Sequence, residues 1–341
     1  MPGLDAAAFD GGGDGRPEMI WPAVLSAFVM CGLMLAWLLR HGARLPMDHP
    51  NERSLHASPT PRIGGLGIMA GVLVAAMWLA VSGQLQAALP AILAAFALAG
   101  VSVLDDAWSL PAALRLLAHF IAAAACMLAF GLTGWSLLPG TLAVVWMTNL
   151  YNFMDGSDGL AGGMAALGFG ALALAAWMAD AAGLATLCAA IAAAALAFLR
   201  FNFPPARLFM GDAGSIPLGF LAASLGILGV RHNVWPWLFP LLVFSPFIFD
   251  ASVTLVRRAL RGEKIWQAHR SHYYQRAVLL GASHRQLALA AYAMMLAAAA
   301  AGLGLLILPQ YAAWLIALWI GVYISIFVVI DWRWQNTNNA H

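Results

Sequence analysis

The chain has 341 residues, of which 62% are hydrophobic and only 9% charged, and its mean hydropathy is +0.81. A soluble domain carries roughly a quarter charged residues, so an ordinary water-soluble fold is excluded and the chain is expected to live in lipid. The net charge of +2 says little, because the charge is gathered into a few short segments whose positions matter more than their sum.

Residues 1–17 are Gly-rich and acidic, which predicts a disordered segment, and they lack the basic start of a signal peptide. The apolar run after Met19 therefore reads as a first spanning helix that is retained. A span needs about 20 mainly apolar residues. Eleven stretches meet or approach that: 18–39, 63–82, 86–104, 112–131, 136–153, 160–179, 183–200, 214–230, 235–256, 284–307 and 311–330. They predict an all-α, polytopic transmembrane helical bundle of about 11 helices in one unit, 18–331, followed by a tail, 332–341. Abundant Ala and Gly would let neighbouring helices approach closely. Cys31, Cys126 and Cys188 fall in apolar runs without paired spacing and read as small core residues, not a disulfide or zinc framework.

Orientation follows from the basic residues, which cytoplasmic loops retain in excess. With the N-terminus outside (periplasmic) and the C-terminus cytoplasmic, 15 of the 17 Lys and Arg residues fall inside, and only Arg16 and Arg231 fall outside. Asp48, His49, Glu52, His56, Asp105, Asp106, Asp155, Asp158, Asp212, Glu263, His269 and His272 fall on that same inner side. Positive-inside bias does not require acids and histidines to gather there; a shared site does.

Four constellations could carry chemistry. Asp105 and Asp106 end the third span, and adjacent carboxylates repel unless a cation or a proton relieves them. They read as a solvated helix end, or as divalent-cation ligands or a general base. Asn149, Asn152, Asp155 and Asp158 recur every third residue in TNLYNFMDGSDGL, a polar stripe on a helix whose oxygens suit a hard cation such as Mg²⁺. Asn149 and Asn152 could equally hydrogen-bond a neighbouring helix. In FNFPPARLFMGDAGS, Asp212 is either a helix N-cap or part of a phosphate or metal site at a helix N-terminus, and Phe209 is an aromatic placed to stack on a base. In the basic loop Arg257–Arg276, His269, Arg270, His272 and Arg276 offer donors for phosphate oxygens, although topology alone would account for the arginines. The loop from Asp48 to Gly65 reads as a lid or groove wall. Asp250, about 10 Å along its helix from Arg257, is an intramembrane acid that serves function, an arginine or helix packing.

LDDAWSL, NLYNFMDGSDGLAGG, FNFPPARLFMGDAGSIPLG and AHRSHYYQR, in this order, resemble the motifs of the polyprenyl-phosphate N-acetylhexosamine-1-phosphate transferase superfamily. The resemblance implies a multi-pass enzyme of the bacterial inner membrane, its site facing the cytoplasm. It would move a sugar 1-phosphate from a UDP-N-acetylhexosamine to undecaprenyl phosphate with Mg²⁺, or alternatively Mn²⁺, releasing UMP and starting O-antigen or another envelope glycan. It further implies Asp212 as a magnesium ligand, with Asn152 beside it, and Phe209 as the uracil-stacking aromatic. Asp105, Asp106, Asp155, Asp158 and His272 are the implied catalytic groups, and Asn152, His269, Arg270 and Arg276 the substrate-binding ones. HRSHYYQR departs from the tight histidine cluster of the muramoyl-pentapeptide enzyme, which argues for the O-antigen-like branch. Membrane lipids and a second copy of the chain are the other expected partners, and no nucleic acid. The rival reading is a secondary transporter, which would place its ionisable groups nearer the midplane on repeated, broken helices.

Overall fold

The computed structural model describes residues 20–41, 47–48, 55, 59–264 and 269–339. The expected disordered segment 1–17 and the loop residues His49, Glu52, Arg53 and His56 lie outside the described residues. The helices are α1 (Ile20–His41), α2 (Gly64–Val81), α3 (Leu89–Trp108), α4 (Ala112–Ala129), α5 (Leu137–Phe153), α6 (Leu160–Met178) and α7 (Ala182–Asn202). They continue as α8 (Asp212–Arg231), α9 (Leu238–Val243), α10 (Ser245–Leu260), α11 (Tyr273–Leu279), α12 (His284–Ile307) and α13 (Ala312–Asn339). Strands β1 (Met47–Asp48) and β2 (Thr60–Pro61) pair antiparallel between α1 and α2, with Met47 opposite Pro61.

Nine of the described helices are long and apolar enough to cross a membrane, so the chain is the polytopic helical protein that composition predicts. The two remaining stretches depart instructively. The one at 136–153 forms α5, which at 17 residues rises only about 25 Å. The stretch at 235–256 breaks at Phe244 into α9 and α10. Pro246 occupies the first turn of α10, where its missing N–H costs no intrahelical bond.

The layers follow from side-chain size. Buried residues make up 72, 78 and 83% of the apolar windows of α6, α7 and α8, against 11% for α13. The first three form the centre of the bundle and α13 lies at its edge. In α7, Ala190, Ala194, Ala195 and Ala197 are buried, and a Cβ on Gly71 of α2 would lie 2.7 Å from the Ala27 carbonyl of α1. Only small residues allow backbones this near each other, and in lipid such packing holds helices together in place of the hydrophobic effect.

Where β2 runs into α2, the chain meets the start of α8. The Gly64 and Gly65 N–H groups donate to the carbonyls of Phe209 and Met210 at 2.8 Å, and Phe209 N–H donates to the Pro61 carbonyl at 2.8 Å. A Cβ on Gly65 would stand 2.2 Å from the Gly214 nitrogen. This glycine contact ties the β1–β2 hairpin to the N-terminus of α8 and places Arg62 beside Asp212.

Candidate active site

Asp105 and Asp106 are adjacent in sequence but differ in role. Ser109, in a left-handed conformation (φ 51°), ends α3. One oxygen of Asp105 accepts from Leu110 N–H at 2.7 Å and the other from Arg115 Nη1 at 2.9 Å. Both its oxygens accept within the α3–α4 turn, which sets it apart from Asp106, with which it was expected to share a catalytic role. Asp106 is exposed and within electrostatic reach of Asp212 and Arg62.

The polar stripe ending α5 also divides. Asn149 turns back to its own helix, donating to the Val145 carbonyl at 2.7 Å. Asn152 faces α8, donating to Asp212 Oδ1 at 3.0 Å and Ser215 Oγ at 2.9 Å; its own Oδ1 takes no part in these bonds. Asp155 lies beyond the helix end. Burial, then the charges of Asp212 and Asp48, push its carboxyl well above the ordinary carboxylate range, while Arg62 and the Gly211 N–H pull it back. Asp158 instead accepts from Ala206 N–H at 2.9 Å and lies 3.9 Å from His284, tethering the α5–α6 loop to the α7–α8 loop. Asn202 reinforces the tether, accepting from Gly159 N–H and donating to the Leu208 carbonyl, each at 2.9 Å. Asp158, expected as a catalytic group, thus also serves as a loop tie, and it lines the recess described below.

Asp212 is not the N-cap of α8. Gly211, at φ 70°, holds that position, and Asp212 is the first helical residue, its carboxylate near the N-terminal peptide dipoles. Arg62 stands 4.0 Å from Asp212 and 3.8 Å from Asp48. Arg62, Phe209, Gly211, Asp155, Asp158 and His284 line a recess of about 50 Å³. That is room for an ion or a water and far below the several hundred Å³ of a small-molecule site.

The histidine loop is built around Asp250. The three groups His269, His272 and Arg276 do not share one helix face, because α11 begins only at Tyr273. His272, at its N-cap, is 2% exposed. Asp250 accepts from the Tyr273 and Tyr274 N–H groups at 2.9 Å each and lies 3.4 Å from His272 Nδ1. Asp250 thus caps α11 and stands beside the His272 ring. The His272 ring stacks on Phe153 at 6.1 Å, and Tyr274 donates to the Phe153 carbonyl at 3.0 Å, joining this loop to the carboxylate cluster. His269 lies 4.8 Å from His272, ring to ring. Burial, then His272 and Arg258, lower its pKa to about 4, so it is neutral at pH 7. Arg270 is exposed.

Arg276, expected as a phosphate ligand, is engaged within the protein. It is buried, pairs with Asp331 of α13 at 2.8 Å, and lies over the rings of Tyr273 and Trp334 at 5.2 and 5.6 Å. Arg257 and the Tyr273 hydroxyl also bond Asp331. Sequence reasoning missed Asp331, Asn202 and His284, and weighed Arg62 only for topology. A lone acid near the end of the last span was the available signal for Asp331.

Among the described residues, no three His, Cys, Asp or Glu side chains stand close enough to cage a metal ion. The donor set still fits Mg²⁺, which binds through one or two carboxylates completed by water and substrate phosphate. Asp212 and Asp155 interact electrostatically as like charges, and a cation between them would relieve that.

The profile of glycosyl transferase family 4 matches residues 88–230. A probable undecaprenyl-phosphate N-acetylglucosaminyl 1-phosphate transferase of Bacillus subtilis is 30% identical over 293 residues, covering 79% of each chain. A decaprenyl-phosphate N-acetylglucosaminephosphotransferase of Mycobacterium leprae is 32% identical over 299 residues, covering 72% of this chain and 73% of its own. A phospho-N-acetylmuramoyl-pentapeptide-transferase of Moorella thermoacetica is 30% identical over 292 residues, covering 75% and 89%. With helix ends that bring Asp106, Asn152, Asp155 and Asp212 together and relatives aligned over most of both chains, the protein belongs to glycosyl transferase family 4, in the superfamily of polyprenyl-phosphate N-acetylhexosamine-1-phosphate transferases.

Proposed function

We propose that the chain transfers an N-acetylhexosamine 1-phosphate from a UDP-sugar to undecaprenyl phosphate at the cytoplasmic face of a bacterial inner membrane, initiating O-antigen or a related envelope glycan. The observation that carries this reading is the cluster of Asp212, Asp155 and Asn152 beside Arg62 and Phe209, with Asp106 in electrostatic reach. The relatives' names, with a polyprenyl-phosphate acceptor and an N-acetylglucosamine phosphate, support it.

Both substrates bring phosphate, so an oxygen of the lipid phosphate must approach the sugar-bearing phosphorus of the UDP-sugar against charge repulsion. That oxygen forms the new P–O bond. The bond from the same phosphorus to the bridging oxygen breaks, and UMP leaves with the bridging oxygen. Asp212 and Asp155, with Asn152 Oδ1, would hold Mg²⁺, or Mn²⁺ in its place; when bound it neutralises and orients the diphosphate. Arg62 adds a fixed cation, and Phe209 offers its ring to uracil. Asp106, the less engaged acid of its pair, takes any proton the acceptor phosphate carries. Neutral His269, with Arg270 and the anchored His272, meets sugar or phosphate from the α11 side. The prenyl chain lies in the apolar groove beside Leu150 and Ile248.

The test is purified protein in detergent with undecaprenyl phosphate, Mg²⁺ and, separately, UDP-GlcNAc, UDP-FucNAc and UDP-QuiNAc. UMP release with at least one donor is expected, abolished by EDTA and by Asp212→Asn. No UMP from any donor overturns the reading.

A further inference from the structure

Arg231 stands apart from every group used above. It ends α8, whose 20 residues rise about 28 Å from Asp212, so it lies at the opposite membrane face from the site. There it borders a cavity of about 710 Å³ between α5, α8 and α9, in which it is the only charged lining residue among the described residues. Its Nε is buried without a hydrogen-bond partner, and no ion pair to it occurs among the described residues. A Cβ on Gly131 would lie 3.2 Å from its Nη2, so the guanidinium packs closely against that turn. Trp135 and Trp237, 81% and 61% exposed, line the same end, and tryptophans of this kind mark the headgroup level of a bilayer.

A cation held at that level, with no acid among the described residues of the cavity wall, is a docking point for an anion. The negative end of the α8 dipole offsets only part of the charge. The anion must be amphiphilic, because the space running inward from Arg231 is walled by Ile227, Val230 and Leu241. A guanidinium pairs two parallel N–H donors with phosphate oxygens.

We propose that the outer half of this groove is a binding site for an anionic phospholipid of the leaflet opposite the catalytic site, its phosphodiester on Arg231 and an acyl chain along α8. The site does not depend on the transferase reading. The prenyl chain proposed above enters the same groove from the other face, so the two lipids meet end to end.

The full chain in mild detergent is titrated with phosphatidylglycerol, with phosphatidylethanolamine of matched chains, and with undecaprenyl phosphate, and retained adducts are read by native mass spectrometry. One retained phosphatidylglycerol is expected, binding roughly tenfold more weakly to Arg231→Gln, the loss of about one charge-assisted hydrogen bond. Arg231→Lys should fall between the two; if Arg231→Gln does not give a monodisperse protein, the Lys variant carries the comparison against wild type. Equal retention of phosphatidylglycerol by wild type and variant overturns the proposal. So does wild-type retention of phosphatidylethanolamine as strong as that of phosphatidylglycerol, or Arg231-dependent retention confined to undecaprenyl phosphate.

Discussion

Asp250→Ala tests whether the acid that caps α11 acts through His272. The carboxylate is 6% exposed and accepts two backbone N–H groups that start α11. Stranding each buried donor costs about 1–3 kcal/mol, so the alanine variant should lose roughly 2–6 kcal/mol. Asp250→Asn, which keeps one acceptor oxygen, should lose about half of that. If α11 shifts by about 1 Å, His272 shifts with it, and a displacement of that size costs about a hundredfold in rate. The assay is kcat for UMP release alongside the melting temperature in detergent. Asp250→Ala is then repeated on a His272→Ala background, where a residue that only positions His272 has nothing left to position and its effect on kcat should vanish. A destabilised Asp250→Ala enzyme with wild-type kcat, or an undiminished loss in the double variant, would refute the assignment.

Asp212→Asn should abolish turnover while leaving the melting temperature near wild type, because the amide can still accept from Asn152; measurable UMP release would remove Asp212 from the metal site. Asp158→Asn, holding backbone rather than substrate, should lower stability by about 1–2 kcal/mol and kcat less than tenfold, read in the same two assays. Asp331→Ala leaves buried Arg276 unpaired and should cost about 3–5 kcal/mol, whereas Asp331→Leu with Arg276→Met, which leaves only the more exposed Arg257 without its acid, should recover part of that in a thermal melt. His269 has its pKa lowered from 6.5 to about 4 in the folded protein. The unfolded chain therefore binds the extra proton first, and the protein loses stability as pH falls from 6.5 towards 4. Melting temperatures across that window should fall less steeply for His269→Asn than for wild type.

The spans were legible because a lipid-facing helix has to be apolar along its whole length, a requirement visible in any window of sequence. The break at Phe244 was not, since Pro246 sits in a helix first turn that leaves hydropathy unchanged. Asp212, Asp155 and Asn152 were legible as a group because acids and amides at the ends of apolar helices have few reasons to be there. Spacing could not tell Asp105 from Asp106, or Asp155 from Asp158. The difference lies in which backbone N–H or arginine each meets across a turn, and that is fixed by tertiary contact. Arg276 shows the same limit in reverse: its motif position suggested phosphate, but Asp331, 55 residues away in sequence, already occupies its guanidinium.

The glycine contact between Gly65 and Gly214 also bears on how the protein moves. With the Gly64 and Gly65 N–H groups bonded to the chain just before α8, and no side chain between the two backbones, Arg62 and Asp212 ride on one rigid body. A recess of about 50 Å³ has room for an ion or a water, and this wall does not swing to make room for more. Any widening of the recess therefore moves Asp155 away from a stationary Asp212, and does not part Asp212 from Arg62.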